Sequence, residues 1–184
     1  MLPPYSPEAY VDFNQPEPRA KMLAALEGVG RQLGRACPLW IHGKPVTTSE
    51  TFNSISPADP TRVVGIVSKT NVDLAEKAVR CAADHFKTWS RVAPEVRARV
   101  LIKAAAIMRR RVYELSAWEC YEVSKSWLEA YADVCEAIDF LEFYGREMTR
   151  LGGSHPCTTY PGEENEVRYI PLGVGVVIPP WNFP

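Results

Sequence analysis

The residue best suited to chemistry is Asn182, set between Trp181 and Phe183 after the apolar run 174–178 and the Pro179-Pro180 pair. An asparagine amide can donate a hydrogen bond to a developing oxyanion. The flanking aromatic rings can wall a small apolar pocket. In open α/β sheets, ligands bind beyond the carboxyl ends of strands, where this segment would stand. A packed aromatic loop is the competing reading. The stretch 128–149 holds a second candidate group. Its apolar stripe runs through Leu128, Tyr131, Cys135, Ile138 and Leu141 and is interrupted by acids. At about 100° per residue, Asp139 and Glu142 fall inside that arc and Glu136 lies on its edge. A carboxylate in a buried stripe must be paired or hydrogen-bonded. It is either the acid of an internal salt bridge or a pocket-lining group that acts on a polar substrate or a proton.

Other reactive side chains give weaker patterns. His42, His85 and His155 have no carboxylate or cysteine beside them in sequence and read as surface or satisfied histidines. Cys37, Cys81, Cys120, Cys135 and Cys157 are scattered without a CxxC pair, so neither a disulfide framework nor a zinc site is indicated. Cys81, Cys120 and Cys135 sit in helical patterns and read as small core residues; Cys157 lies in a Pro/Thr/Gly-rich loop. Arg109-Arg110-Arg111 reads as a solvated helix face. Gly173-Val174-Gly175 precedes an apolar run where the GxGxxG dinucleotide fingerprint would follow one, so that fingerprint is absent.

The elements that must position these groups follow from periodicity. Residues 1–18 are proline-rich and read as an irregular arm, and 19–33 has helical spacing closed by Gly34. LWIHGKPV at 39–46 suggests a hairpin turning at Gly43, and 51–56 and 63–68 read as strands. Residues 70–149 switch to helical periodicity, with Asn71 as an N-cap and Pro94 opening the next helix. Gly152-Gly153 closes this block. After a loop, 166–170 alternates like a half-exposed strand, and 174–178 is apolar throughout, like a strand covered on both faces of a parallel sheet. This order predicts an α/β fold.

Composition agrees with a folded chain of 184 residues, 46% hydrophobic and 23% charged. A balance of 21 basic and 22 acidic residues gives a net charge of −1, which argues against nucleic acid or an anionic membrane as partner. Residues 170–184 form the longest charge-free stretch, only 15 long and broken by four prolines, too short for a membrane helix. Neither a secretory signal nor a cysteine framework is evident, which suggests a cytoplasmic protein with reduced thiols.

The string YIPLGVGVVIPPWNFP at 169–184 resembles the segment with which the aldehyde dehydrogenase family enters its NAD-binding core. The opening MLPP, the PLWIHGKPV hairpin, SPADP before VVGIV, and ADVCEAIDFLEFY resemble the branch that oxidises L-glutamate γ-semialdehyde to L-glutamate in proline breakdown. The resemblance implies an incomplete, N-terminal portion of a Rossmann-like NAD-binding domain. Residues 1–153 would form the arm, small β elements and helical block, 154–171 an oligomerisation flap, and 172–184 the first core strand. It implies that Asn182 helps hold the oxyanion and that Glu136 and Phe183 face the aldehyde. Ile178, Pro179, Pro180, Trp181 and Asn182 would line the NAD site. Here the motif selects Glu136, where periodicity ranks Asp139 and Glu142 first. The family's nucleophilic cysteine stands in a GQxC-like segment and its general-base glutamate in a Gly-rich one; neither segment occurs in this sequence. The chain alone is therefore expected to be inactive, and the complete protein to be a homo-oligomer taking a small aldehyde. The alternatives are an aldehyde dehydrogenase with another substrate and a non-catalytic assembly fragment.

Overall fold

A computed structural model describes residues 3–184, so the first two residues of the MLPP opening lie outside the described residues. Five helices form its body. α1 (Pro16–Gly30) starts at a proline, whose missing N–H costs nothing in a first turn. The irregular arm is therefore shorter than its proline content suggests. α2 (Val72–Trp89) starts at Asn71, whose side chain accepts from Leu74 N–H at 2.9 Å. α3 (Pro94–Arg110) again opens on proline. The expected single stripe through Met108, Val112 and Leu115 breaks at Arg111, and α4 (Val112–Glu122) continues it. Arg111 leaves helical geometry at φ −109° and ψ 14°, and its guanidinium grips Glu114 in the new first turn at 2.7 and 2.8 Å. α5 (Trp127–Leu151) begins with a reciprocal capping box between Ser126 and Glu129.

The β elements are short. β1 (Arg35–Cys37) runs parallel to β5 (Asp59–Ser68), which pairs antiparallel with β4 (Thr51–Ser56). β2 (Leu39–Ile41) and β3 (Lys44–Val46) form the expected hairpin. Its turn residues His42 and Gly43 both have positive φ, 54° and 68°, which suits the right-handed twist of a two-residue turn.

The core forms where α3 and α4 pack on α5. Ala105, Val112, Tyr131, Val134, Cys135 and Ile138 are buried together there. A second cluster joins Met22 and Val29 of α1 to Ala117 of α4. Phe13 of the arm belongs to both, edge-on to Trp127 at 5.7 Å and to Tyr131 at 5.8 Å. The arm is thus anchored. Its backbone at Glu8 donates to Asp139 Oδ1 at 2.9 Å, Arg109 grips the Glu8 carboxylate at 2.6 Å, and Arg146 reaches the Pro3 carbonyl at 2.6 Å. Partly exposed ion pairs contribute about 0–1 kcal/mol. Full burial of a phenyl ring contributes about 1.5–3 kcal/mol, and the half-buried Phe13 gains a share of that beside the polar contacts.

Three expectations are corrected. α2 carries no fully buried residue, so Cys81, expected as a small core residue, is only half-buried beside the β2–β3 hairpin. Of the expected strand 166–170, only β7 (Glu166–Val167) pairs, with β6 (His155–Pro156). Residues 174–178 form no strand, and Val176, Val177 and Ile178 are 76%, 88% and 86% exposed. A doubly covered strand needs neighbours on both edges and helices on both faces. Among the described residues nothing pairs with this segment.

α3 and α5 approach closely because two glycines face α3. A Cβ on Gly145 would stand 2.9 Å from Ile102 Cδ1, and one on Gly152 would stand 2.2 Å from Pro94 Cβ. The proline ring cannot yield as an isoleucine end can. Gly152→Ala is expected to lower stability by about 1–3 kcal/mol in denaturant unfolding, despite alanine's better helix propensity. An unchanged unfolding midpoint would contradict this packing.

Candidate functional site

α5 carries two chemically different faces. Asp139 and Glu142, the acids that periodicity ranks first, turn toward the arm. Asp139 holds the Glu8 amide, and Glu142 accepts from Arg109 at 3.4 Å and Arg146 at 3.2 Å. Glu142 makes the arginine salt bridges expected of an acid in this stripe, whereas Asp139 instead accepts a backbone N–H. Glu136 is exposed on the other face. There it lines a groove of about 240 Å³ with Asp133, Ala137, Phe140, Phe183 and Pro184. The arginine triplet is exposed, as expected of a solvated face, with Arg109 paired to Glu8 and Glu142 and Arg111 to Glu114.

Of the residues singled out near the end of the sequence, Phe183 shares this groove with Glu136. Asn182 is adjacent, exposed, in a turn that Phe183 N–H closes onto the Pro180 carbonyl at 3.4 Å. Ile178, Pro179, Pro180 and Trp181 form an exposed strip leading to it, with Trp181 85% exposed.

Lys125 joins the two sides of the groove, and sequence reasoning missed it. Its ammonium pairs with Asp133 and lies 4.6 Å from the centre of the Phe183 ring. The preceding Ser124 takes a left-handed conformation at φ 59°, and its hydroxyl accepts from Ala58 N–H at 2.9 Å. That contact fixes the loop to the β4–β5 turn and aims Lys125 inward. Asp133 could have been found, because it stands three residues before Glu136 on the same helix face. Lys125 carries no sequence signal of this kind.

Glu119 of α4 feels the charge of Lys125. One of its carboxylate oxygens is buried with no hydrogen-bond partner. Burial pushes its carboxyl up to about 7, against the opposing pull of Lys125. The thiols give no rival nucleophile here: burial raises Cys120 and Cys135 to about 11. Among the described residues no group of three His, Cys, Asp or Glu side chains could hold a metal, and no helix is long and apolar enough to cross a membrane.

The groove therefore offers a carboxylate, an aromatic wall, a clamped lysine and a neighbouring amide beside an exposed apolar strip. This combination stands within residues 44–184, the stretch that matches the aldehyde dehydrogenase family, and the chain belongs to that family. It is 51% identical over 184 residues to the 1-pyrroline-5-carboxylate dehydrogenase of Geobacillus thermodenitrificans and 52% identical to that of Geobacillus kaustophilus. It covers 100% of this chain and 36% of either relative, so it spans about a third of their length. It also superposes on a Thermus 1-pyrroline-5-carboxylate dehydrogenase solved with bound NAD, with a TM-score of 0.95 at 46% identity, over 100% of this chain and 36% of that one.

The Glu119 environment has a consequence for stability. An acid raised from 4.5 to about 7 binds its proton more tightly in the folded state. Folding is therefore progressively disfavoured as pH rises from about 4.5 to 7, and this cost persists above that range. Glu119→Gln is expected to raise the Tm relative to the parent more at about pH 8 than at about pH 5. An equal difference at both values would contradict the burial of this carboxyl.

Proposed function

We propose that this chain is the N-terminal portion of an NAD-dependent dehydrogenase that oxidises L-glutamate γ-semialdehyde to L-glutamate, the last step of proline breakdown. The observation that carries this reading is the meeting of Glu136 and Phe183 in one groove, beside Asn182, in a chain matched along its whole length by 1-pyrroline-5-carboxylate dehydrogenases. In this proposal the semialdehyde lies between α5 and the terminal segment. Phe183 packs on its carbon chain, and the Glu136 carboxylate accepts a hydrogen bond from its polar end. The Asn182 amide donates to the oxygen that becomes negative when the carbonyl is attacked. Lys125 positions Phe183 through its contact with the ring.

The strip from Ile178 to Trp181 suits the planar rings of a dinucleotide: it presents two pyrrolidine rings and an indole to solvent. It offers no charged group, so any phosphate contact must come from elsewhere. NAD, when bound there, would accept the hydride released by the aldehyde carbon. The nucleophilic thiolate and the water-activating glutamate would be supplied outside these 184 residues. In the complete, cytoplasmic enzyme the 154–171 hairpin would serve as a flap between subunits of a homo-oligomer. It already closes on itself through Ser154 and Glu166 at 2.5 Å and through the edge-on rings of His155 and Tyr169.

A chimera tests this. The chain replaces the matching 36% of the G. thermodenitrificans relative. The chimera is expected to form NADH from γ-semialdehyde, and the 184-residue chain alone to form none. Asn182→Ala in the chimera should lower kcat about 10²-fold. A folded chimera without semialdehyde-dependent NADH formation, or turnover by the chain alone, contradicts the proposal.

A further inference from the structure

On the β2–β3 hairpin and α2, elements that contribute nothing to the Glu136 groove, two residues distant in sequence meet. His42 Nδ1 lies 3.0 Å from Cys81 Sγ. The histidine is held there by the hairpin turn. It occupies a left-handed position at φ 54°, where asparagine or glycine is the easier choice. The thiol opens onto a cleft of about 770 Å³ between hairpin and helix, lined also by Lys44, Lys77, Arg80 and Asp84. Arg80 is paired with Glu76 at 2.5 Å and Asp84 with Lys87 at 2.8 Å. Lys44 and Lys77 have no ion-pair partner among the described residues. The cleft thus joins a Cys–His pair, open volume and two uncommitted cations.

We propose that Cys81 is a thiol-modification site, activated by His42, that exchanges with small disulfides bearing carboxylates. His42 Nδ1 takes the proton from Cys81 Sγ, and Sγ attacks one sulfur of the disulfide. The new S–S bond joins Cys81 to that half. The old S–S bond breaks, and the departing thiolate takes the proton from His42 and leaves as a thiol. The Cys81 sulfur is oxidised and the departing sulfur reduced, so the disulfide itself is the oxidant. Lys44 and Lys77 hold the carboxylates of the incoming molecule. The bulky product would occupy the cleft between the hairpin and α2.

Oxidised glutathione is the probe, added to the full 184-residue chain, with the site of each mixed disulfide read by peptide mass mapping. Cys81 should be modified at least about tenfold faster than Cys37 and Cys157, which are also half-buried and serve as internal controls. His42→Asn keeps a residue that tolerates the left-handed turn and removes the base; it should slow modification of Cys81 about tenfold or more. Lys77→Ala should slow the reaction with oxidised glutathione and leave that with the uncharged 2-hydroxyethyl disulfide unchanged. Equal modification of Cys37, Cys81 and Cys157 in the parent chain would overturn the site, and this readout needs no variant. An unchanged rate in a His42→Asn chain with parental circular dichroism would overturn the activation. Equal slowing of both disulfides by Lys77→Ala would overturn the preference for carboxylates.

Discussion

The rotation of α5 about its own axis is the constraint on which the remainder depends. Tyr131, Val134, Cys135 and Ile138 must face α3 and α4, because only there do Ala105 and Val112 close a dry core. Gly145 and Gly152 let α3 approach so closely that the helix has little freedom to roll. With that stripe fixed, the other positions have no choice of direction. Asp139 and Glu142 fall toward the arm and are neutralised by backbone and arginine contacts. Asp133 and Glu136 fall toward Phe183. One helix thereby divides its acids: Asp139 and Glu142 hold the arm, Asp133 holds Lys125, and Glu136 of these four stands exposed.

The arm and the Lys125 loop reinforce this from opposite sides. Phe13 fills the seam between α1 and α5, so a segment without secondary structure contributes to the packing of two helices. Lys125 bridges Asp133 of α5 and the Phe183 ring, which otherwise belongs to a segment largely open to water. The loop is held by a left-handed Ser124 and its hydrogen bond to the β4–β5 turn. The groove therefore draws on the small sheet as well as on the helices.

Local chemistry made part of this legible in the sequence. Asn71 caps α2, Pro94 opens α3, His42-Gly43 turns the first hairpin and Gly152 ends α5, each for a reason confined to a few residues. The aldehyde dehydrogenase membership was legible in the string from Tyr169 to Pro184. Long-range placement was not. Periodicity placed Asp139 and Glu142 within the apolar arc correctly but could not say that the N-terminal arm would meet them. The His42–Cys81 pair spans 39 positions, so neither residue signals the other. The run 174–178 has the composition of a covered strand, yet composition records what a segment requires and not whether this chain supplies it.

The division of labour along α5 is the central claim, and a paired substitution tests it. In the chimera with the Geobacillus relative, Glu136→Gln and Asp139→Asn each remove one carboxylate charge with little change in volume. The measurement is kcat/KM for γ-semialdehyde set beside the Tm of the same preparation. The account predicts that Glu136→Gln lowers kcat/KM about tenfold or more and leaves the Tm unchanged, while Asp139→Asn lowers the Tm and spares kcat/KM. The opposite assignment, with Asp139→Asn carrying the kinetic loss, would contradict it.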